Sequence, residues 1–181
     1  SVGFMIDLDR DSATSSDNFF MGVFDGVQSV LTEHGLDLLL MPCPSGMDHR
    51  SYLERFATRG MFDAMILASV KRDDKRIGLL QSARIPFVLL GRCATQKDYS
   101  WIDLDFETSV TTALERMIAL GHRRIAVTVP KGGVNYGFIF LETYQKVLAR
   151  HGIAFDPALV FPTIRTEISG YDVMDTLLDL Q

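Results

Sequence analysis

The amino-acid sequence predicts an α/β fold of two lobes, each built on a parallel β-sheet. Short apolar, β-branched runs alternate with amphipathic helical stretches along the chain, which is typical of parallel sheets covered by helices. A helix, a glycine stop and a new apolar strand follow one another within residues 118–130. The order of elements before this junction begins again after it, so we expect two lobes of one topology with right-handed crossovers.

The first half contains five predicted strands and three predicted helices. The first helix begins near Asp17 and ends at Gly35, and the step Ile85-Pro86 ends the third, because a residue before proline avoids helical geometry. The apolar stripe of the first helix comprises Phe20, Val23, Phe24, Val27, Val30 and Leu31. In order, the other elements are strand 2–6, strand 36–41, a helix around 52–57, strand 64–68, helix 73–83, strand 87–90 and strand 101–104.

The junction carries the clearest helix signals. Residues 108–120 have apolar side chains at helical spacing, Asp105 can cap the N-terminus, and Gly121 can end the helix in the left-handed conformation. The basic residues 122–124 follow beside the last carbonyl groups. Strand 125–129, a helix near 137–150, a strand around 160–161 and a helix over 168–180 complete the chain.

We place the lobe boundary at Gly121, so that residues 1–121 form the first lobe and 122–181 part of a second one. The second lobe has too few strands for a covered parallel sheet. We therefore expect it to be incomplete, with apolar residues of strand 125–129 exposed and an oligomeric or poorly behaved chain in solution.

Composition and charge limit the classes of function. The 181 residues are 47% hydrophobic and 23% charged, as in ordinary globular proteins, and the net charge of -5 gives no electrostatic footprint for nucleic acid. Acidic residues follow the first six positions too soon for a secretion signal, and no apolar run approaches a membrane span. Cys43 and Cys93 are fifty positions apart without metal-ligand spacing, which indicates free cytosolic thiols.

Three short motifs are similar to parts of enzyme active sites, but each lacks a residue that the chemistry requires. The segment MIDLDRD is similar to the nucleophile loop of haloacid-dehalogenase-like phosphatases, but Asp11 stands where that loop has Thr or Val. The glycine-rich run 132–137 is neither GxGxxG nor a GK[ST] loop, which favours a turn over a phosphate cradle. His122 has no accompanying nucleophile turn. We therefore expect no catalytic residue, no metal and no cofactor.

The order of several segments resembles a known family: VGFMI, DNFFMGVFDGV, EHGLDLLLMP, FDAMILAS, IPFVLLGR, WIDLDFETS, LGHRRIAV and ISGYDVM. Together they resemble the effector-binding core of the lactose-repressor (LacI/GalR) family of transcriptional regulators over essentially the whole chain. The resemblance implies a periplasmic-binding-protein-like fold of two Rossmann-like or flavodoxin-like lobes. It also implies a helix-turn-helix headpiece and a C-terminal part outside this chain.

The resemblance also implies a ligand cleft at the carboxyl ends of the strands, where ligands of open α/β sheets collect. An Asn-Pro-Phe-Phe segment of the family lines this cleft, and Asp17 and Phe19 occupy matching positions. Arg92 follows a buried strand and can donate two hydrogen bonds to vicinal hydroxyls. Arg72 lies at the same edge of the predicted sheet.

The second lobe departs from the family pattern. Relatives carry an arginine in the motif R-x-x-G-[YFW], whereas Phe140 stands at that position and Thr143 at the glycine, with Tyr136 one turn earlier. A family aromatic before the SGY segment corresponds to the neighbourhood of Arg165. Two interpretations remain: the pocket is degenerate and binds nothing, or Phe140 and Arg165 have exchanged the stacking and hydrogen-bonding roles.

We expect the ligand-sensing and dimerisation domain of a cytoplasmic transcriptional repressor. A small carbohydrate effector would bias the lobe arrangement and hence the affinity of the headpiece for operator DNA. The expected partners are this effector, a second copy of the chain and, through the headpiece, DNA, with no membrane contact. The alternative is a periplasmic sugar-binding protein of a transporter, but the LGHRRI segment is more similar to the repressors.

Overall fold

The computed structural model describes residues 1–8, 17–44, 46–164 and 166–179, with only the backbone of residues 7, 8, 17 and 18. The chain divides into two compact units, Ser1–Asp103 and Leu104–Gln181. Both contain parallel strands with helices between them, as the alternating sequence pattern predicts.

Unit 1 is built on a five-stranded parallel sheet with the strand order β2-β1-β3-β4-β5. Each strand is a short apolar run, and helices α1, α2 and α3 connect the first four strands. The elements are β1 (Val2–Leu8), α1 (Asp17–Glu33), β2 (Leu38–Pro44), α2 (His49–Ala57), β3 (Ala64–Leu67), α3 (Lys75–Ala83), β4 (Phe87–Leu90) and β5 (Ser100–Ile102).

Helices cover both faces of this sheet. Successive residues of a strand point to opposite faces, and Phe4 and Met5 of β1 accordingly belong to different clusters of buried side chains. Phe4 packs edge-on against Phe24 of α1, with 4.9 Å between the ring centroids. Met5 lies in the cluster that contains Leu53 of α2 and Ile77 of α3. The sheet is therefore enclosed between α1 and the pair α2 and α3.

Unit 2 contains a two-stranded parallel sheet, β6 with β7. Its elements are α4 (Phe106–Ala119), β6 (Val127–Pro130), α5 (Asn135–Arg150), a 3-10 turn (Pro157–Leu159), β7 (Val160–Thr163) and α6 (Glu167–Asp179). Leu114 and Ile118 of α4 pack with Tyr144 and Val147 of α5 around the buried Ile125. The Tyr144 hydroxyl donates a hydrogen bond to the Ile125 carbonyl at 2.8 Å.

The two units repeat one helix stop. Gly35 after α1 and Gly152 after α5 both have positive φ, 65° and 63°. The amide of Leu36 donates to the Leu31 carbonyl at 2.9 Å, and the amide of Ile153 donates to the Leu148 carbonyl at 2.9 Å. Glycine suits both stops because it adopts the left-handed conformation without strain. The repeated order of elements that the sequence predicts is confirmed at these two helix stops, each of which follows a histidine, His34 and His151.

The junction helix ends as predicted. Gly121 has a φ of +93°, and the His122 amide donates to the Met117 carbonyl at 3.1 Å. Arg123 Nη1 donates to the carbonyls of Ile118 and His122 at 3.0 and 3.1 Å. At the other end, the Asp105 carboxylate accepts from the Thr108 amide at 2.9 Å. His122 therefore belongs to a helix C-terminus.

The division between units falls 18 residues before the boundary placed at Gly121, since 121 minus 103 is 18. The difference arises because α4 packs on α5 through Leu114 and Ile118. Helical periodicity identifies the apolar face of α4 but does not say which helix covers it.

Three details differ from the sequence predictions. Ile125 was expected to be exposed but is only 7% exposed, because it precedes β6 and packs between α4 and α5. Val30 belongs to the predicted apolar stripe but is 56% exposed, and it is not among the side chains that pack with Phe24 and Val27. Strand β2 begins at Leu38 rather than Leu36, since Leu36 closes the helix stop.

Candidate ligand-binding residues

Arg92 follows β4 at the carboxyl edge of the sheet of unit 1. Its guanidinium carbon lies 5.7 Å from the centroid of the Trp101 ring, and its Nε lies 3.4 Å from Asp103 Oδ2. The Asp103 side chain is 8% exposed and that of Arg92 29% exposed. The guanidinium is thus held by a ring and a buried carboxylate while part of it reaches solvent.

Gly91 allows the chain to turn directly before Arg92. Its φ is +117°, and a Cβ at this position would lie 3.2 Å from Val70 Cγ2. A side chain here would need both an unfavourable backbone conformation and a shift of Val70. The sequence pattern PFVLLGR is explained by these two requirements.

Arg72 lies in a loop that is tied to the segment after β4. Its carbonyl accepts hydrogen bonds from the Ala94 amide at 3.0 Å and from Cys93 Sγ at 3.2 Å. The Thr95 hydroxyl donates to the Asp73 carboxylate at 2.9 Å. The structure therefore brings Arg72 and Arg92 to the same edge of unit 1, as predicted.

The neighbouring residues Asp74 and Arg76 form a buried ion pair that the sequence analysis missed. Asp74 is 2% and Arg76 1% exposed. Arg76 Nε donates to Asp74 Oδ1 at 2.9 Å, and Nη2 donates to Oδ2 at 2.6 Å. Nη2 also donates to the carbonyls of Ala68 and Ser69 at 3.1 and 3.3 Å. Both residues belong to the charged run KRDDKR, and nothing in that run indicates that these two side chains are buried.

Asp74 also caps α3 and closes the preceding loop. Its carboxylate accepts from the amides of Arg76 and Lys71 at 3.1 and 3.0 Å. Burial by itself raises the pKa of Asp74, but the hydrogen bonds and charge of Arg76 together with the two amides outweigh it, so the pKa lies below the usual value of 3.8. Asp74 therefore stays ionised and holds the Arg72 loop against the sheet.

Phe19 lies in the first turn of α1 and is 52% exposed. Its ring packs edge-on against Phe20, with 5.3 Å between centroids, and Phe20 in turn stacks on Phe24 at 6.2 Å. This agrees with the placement of Phe20 on the apolar stripe and of Phe19 off it. Asp17 begins α1, and its side chain lies outside the described part of the structure.

In unit 2, three rings form an aromatic cluster, which comprises Phe106, Tyr136 and Phe140. Phe106 opens α4, while Tyr136 and Phe140 lie in the first two turns of α5. Phe106 stacks on Tyr136 at 5.3 Å and meets Phe140 edge-on at 5.3 Å, and Tyr136 meets Phe140 at 5.9 Å. All three rings are half-buried.

Phe106 is the member of this cluster that sequence reasoning missed. In the sequence it only marks the position after the capping residue Asp105, and its partners are about thirty residues away along the chain. Its alignment with Tyr136 depends on the packing of α4 on α5, which no local pattern predicts. Arg165, the proposed partner of Phe140, lies outside the described residues, so the exchange of roles stays a prediction.

Unit 1 thus offers the exposed ring of Phe19 and two arginines, Arg72 and Arg92, and unit 2 offers the aromatic cluster. Among residues 1–8, 17–44, 46–164 and 166–179, no cluster of three His, Cys, Asp or Glu side chains could hold a metal ion. Within the same ranges, no helix is long and apolar enough to cross a membrane. Rings and arginines of this kind suit the binding of a small polar ligand.

Comparison with protein families supports this conclusion. Residues 11–136 match the family described as periplasmic binding proteins and sugar binding domain of LacI family. The chain is 33% identical over 163 residues to the HTH-type transcriptional regulator RafR of Escherichia coli, covering 89% of this chain and 47% of that protein. It is 28% identical over 179 residues to the HTH-type transcriptional regulator AglR of Rhizobium meliloti (strain 1021), covering 98% and 49%. The chain thus spans about half the length of these curated relatives.

Solved structures show the same fold. A transcriptional regulator from Yersinia pestis biovar Microtus str. 91001 matches with a TM-score of 0.86 and 28% identity, over 99% of this chain and 63% of that one. The complex of the transcriptional regulator CelR with cellobiose matches with a TM-score of 0.83 and 27% identity, over 98% and 54%. These relatives are regulators rather than enzymes or transporter components, and the predicted fold is confirmed. The chain belongs to the family of periplasmic binding proteins and sugar-binding domains of the LacI family.

Proposed function

We propose that this chain is the effector-binding domain of a transcriptional regulator and that its effector is a carbohydrate. The observation that supports the proposal most directly is the match to CelR bound to cellobiose, which extends over 98% of this chain. The curated relatives RafR and AglR are transcriptional regulators as well. A shared fold does not determine which ligand is bound, so the proposal also depends on the chemistry of the candidate residues.

The candidate residues have the chemistry that sugar binding requires. A sugar ring has an apolar face, which stacks on aromatic rings, and rows of hydroxyl groups, which accept hydrogen bonds from arginine. Unit 1 offers an exposed ring and two arginines, and unit 2 offers the aromatic cluster. The proposed ligand contacts are Asp17, Phe19, Arg72, Arg92, Tyr136, Phe140 and Arg165.

The regulatory role follows if the carbohydrate binds one arrangement of the protein more tightly than another, because only a difference in affinity shifts an equilibrium. We place this shift in a cytoplasmic homodimer that contacts operator DNA through another part of the full-length protein. The HTH-type relatives support the DNA contact.

A sugar panel with matched variants tests the proposal. The intact protein is titrated by calorimetry with cellobiose, lactose, maltose and melibiose, and its oligomeric state is measured by light scattering. We expect one sugar to bind, and Arg92→Ala to weaken it by roughly 10- to 100-fold, since hydrogen bonds from a charged donor contribute about 1.5 to 3 kcal/mol.

The control is Arg55→Ala. Arg55 is an exposed arginine on α2 that also lies over aromatic rings, 5.0 Å from the centroid of Phe56, and its removal is expected to leave the affinity unchanged. Equal losses in both variants would contradict the assignment of Arg92. Binding of none of the four sugars would contradict a disaccharide effector.

A further inference from the structure

Trp101 is the single tryptophan of the chain, and it lies on the edge strand β5 with its side chain 51% exposed. The ring makes a cation–π contact with Arg92, whose guanidinium carbon lies 5.7 Å from the ring centroid. The ring therefore covers one side of the Arg92 guanidinium.

Asp103 holds Arg92 from another direction. Its Oδ2 lies 3.4 Å from Arg92 Nε, and its side chain is nearly buried, at 8% exposure. A carboxylate withdrawn from water attracts a guanidinium more strongly than an exposed one does. Trp101 and Asp103 are two positions apart on the chain and together contact the same guanidinium.

The sheet explains why these residues meet. β4 and β5 are parallel neighbours with Leu90 opposite Ile102, and the Gly91 amide donates to the Ile102 carbonyl at 2.8 Å. This last ladder bond aligns the two chain ends, so the residue after Gly91 emerges beside Trp101 and Asp103. The backbone that aligns them is part of the sheet.

An arginine on a flexible side chain loses rotamer freedom when it binds a ligand, and that loss weakens binding. A guanidinium that already lies over a ring and is paired with a carboxylate has less of this freedom to lose. We propose that Trp101 is a positioning residue for Arg92. The ring sets the direction in which the guanidinium donates its hydrogen bonds, and it thereby selects the stereochemistry of the two sugar hydroxyl groups that accept them. The inference rests on the proposed function, because it takes Arg92 as a carbohydrate contact.

The first arm of the test uses the sugar-free protein. The Nε–Hε signal of Arg92 is assigned by nuclear magnetic resonance through its loss in Arg92→Lys. We expect an upfield ring-current shift that disappears in Trp101→Leu and persists in Trp101→Phe, whose ring can still stack. A signal at the position of a solvent-exposed arginine in the wild-type protein would overturn the inference without any sugar.

The second arm measures affinity by calorimetry with cellobiose, or with the disaccharide of the panel that binds. We expect a roughly 10-fold loss in Trp101→Leu, near-complete rescue in Trp101→Phe, and no further loss when Trp101→Leu is added to Arg92→Ala. The absence of a further loss separates positioning through Arg92 from direct stacking of the sugar on Trp101. Additive losses would overturn the inference and assign the sugar contact to the ring itself.

The control variant is Phe56→Leu, which removes a ring from beneath Arg55 and should leave the affinity unchanged. An unchanged affinity in Trp101→Leu overturns the inference but not the proposed function. Binding of none of the four disaccharides would contradict a disaccharide effector and would also overturn the ligand side of the inference. The sugar-free arm still decides in that case whether Trp101 holds Arg92.

Discussion

Asp74 and Arg76 show how one buried pair can hold the loop that carries Arg72. The pair fixes the start of α3, the Lys71 amide and the carbonyls after β3. A buried ion pair offsets its loss of hydration through hydrogen bonds. These contacts provide them for every polar side-chain atom of the pair except Arg76 Nη1, which is buried without a hydrogen-bond partner among the described residues. The loop that carries Arg72 is therefore shaped by residues that need not touch a ligand.

Asp74→Asn should destabilise the protein by about 3 to 5 kcal/mol, because it leaves the buried Arg76 guanidinium without a counter-charge. Urea unfolding measures the effect. The matched control is Asp73→Asn, one position away and exposed, which should cost less than about 1 kcal/mol. Similar losses in both variants would show that the pair contributes little.

The pH dependence of stability has a definite sign for this group. Since the pKa of Asp74 is lower in the folded than in the unfolded chain, the unfolded chain takes up the proton first as the pH falls. The contribution is complete above the unfolded value of about 3.8, and it is lost as the pH falls from there through the folded pKa. In urea unfolding between about pH 5 and pH 2, wild type should lose more stability than Asp74→Asn, which has no proton to take up at this position. Asp48 and Asp63, whose pKa values are also lowered, contribute acid loss in both proteins.

Close backbone packing is the main constraint at the scale of elements. Helix α5 lies against the end of β6 at Gly137, where an added Cβ would meet Pro130 Cγ at 2.9 Å and the Pro130 carbonyl oxygen at 3.3 Å. The obstacle includes backbone and a rigid ring, which cannot rotate away. The glycine thus sets the distance between α5 and the sheet, and with it the position of the aromatic cluster.

Gly137→Ala should therefore cost about 1 to 3 kcal/mol as an overpacking substitution. The control is Gly170→Ala in α6, where an added Cβ meets nothing within 4 Å and alanine should stabilise the helix by about 0.5 to 1 kcal/mol. Thermal unfolding of both variants tests the pair. A neutral Gly137→Ala would show that α5 can move away from β6.

Charge is the property of the whole molecule that bears on its partners. The 181 residues carry 18 basic and 23 acidic side chains, a net charge of -5. Specific binding to duplex DNA draws much of its affinity from the neutralisation of phosphates by Lys and Arg. Nothing in this balance favours contact with a polyanion.

We therefore expect the 181-residue chain by itself not to bind duplex DNA at physiological salt. A gel-shift titration against a fragment that the full-length protein binds would measure this. A complex of this chain that persists at 200 mM salt would contradict the expectation and would require a basic surface that the composition does not indicate.

The elements of the fold could be predicted in detail because their signals are local. The stops at Gly35, Gly121 and Gly152 depend on a left-handed conformation that glycine adopts without strain, and Asp105 caps α4 through its own side chain. The strands are apolar runs between such stops. Each helix stop, cap and strand depends on residues a few positions apart, so the sequence alone predicts these elements.

The candidate residues were only partly predictable. Arg92 and Phe19 could be identified because a buried strand and a helical stripe define where a side chain at that position points. Three other residues could not be identified from the sequence. The contacts of Trp101 and Phe106 come from another strand and another helix, and the burial of Arg76 is unexpected for a charged side chain. An arginine in a charged run looks the same whether it is solvated or paired.

By itself, the sequence determined the alternation of strands and helices, the ends of the helices and the family. Only the tertiary structure decided that α4 belongs with α5, that Ile125 is buried and that Trp101 and Asp103 meet at Arg92. The physical reason is that backbone conformation and amphipathic faces are properties of short segments, whereas the partner of a face depends on how distant segments pack.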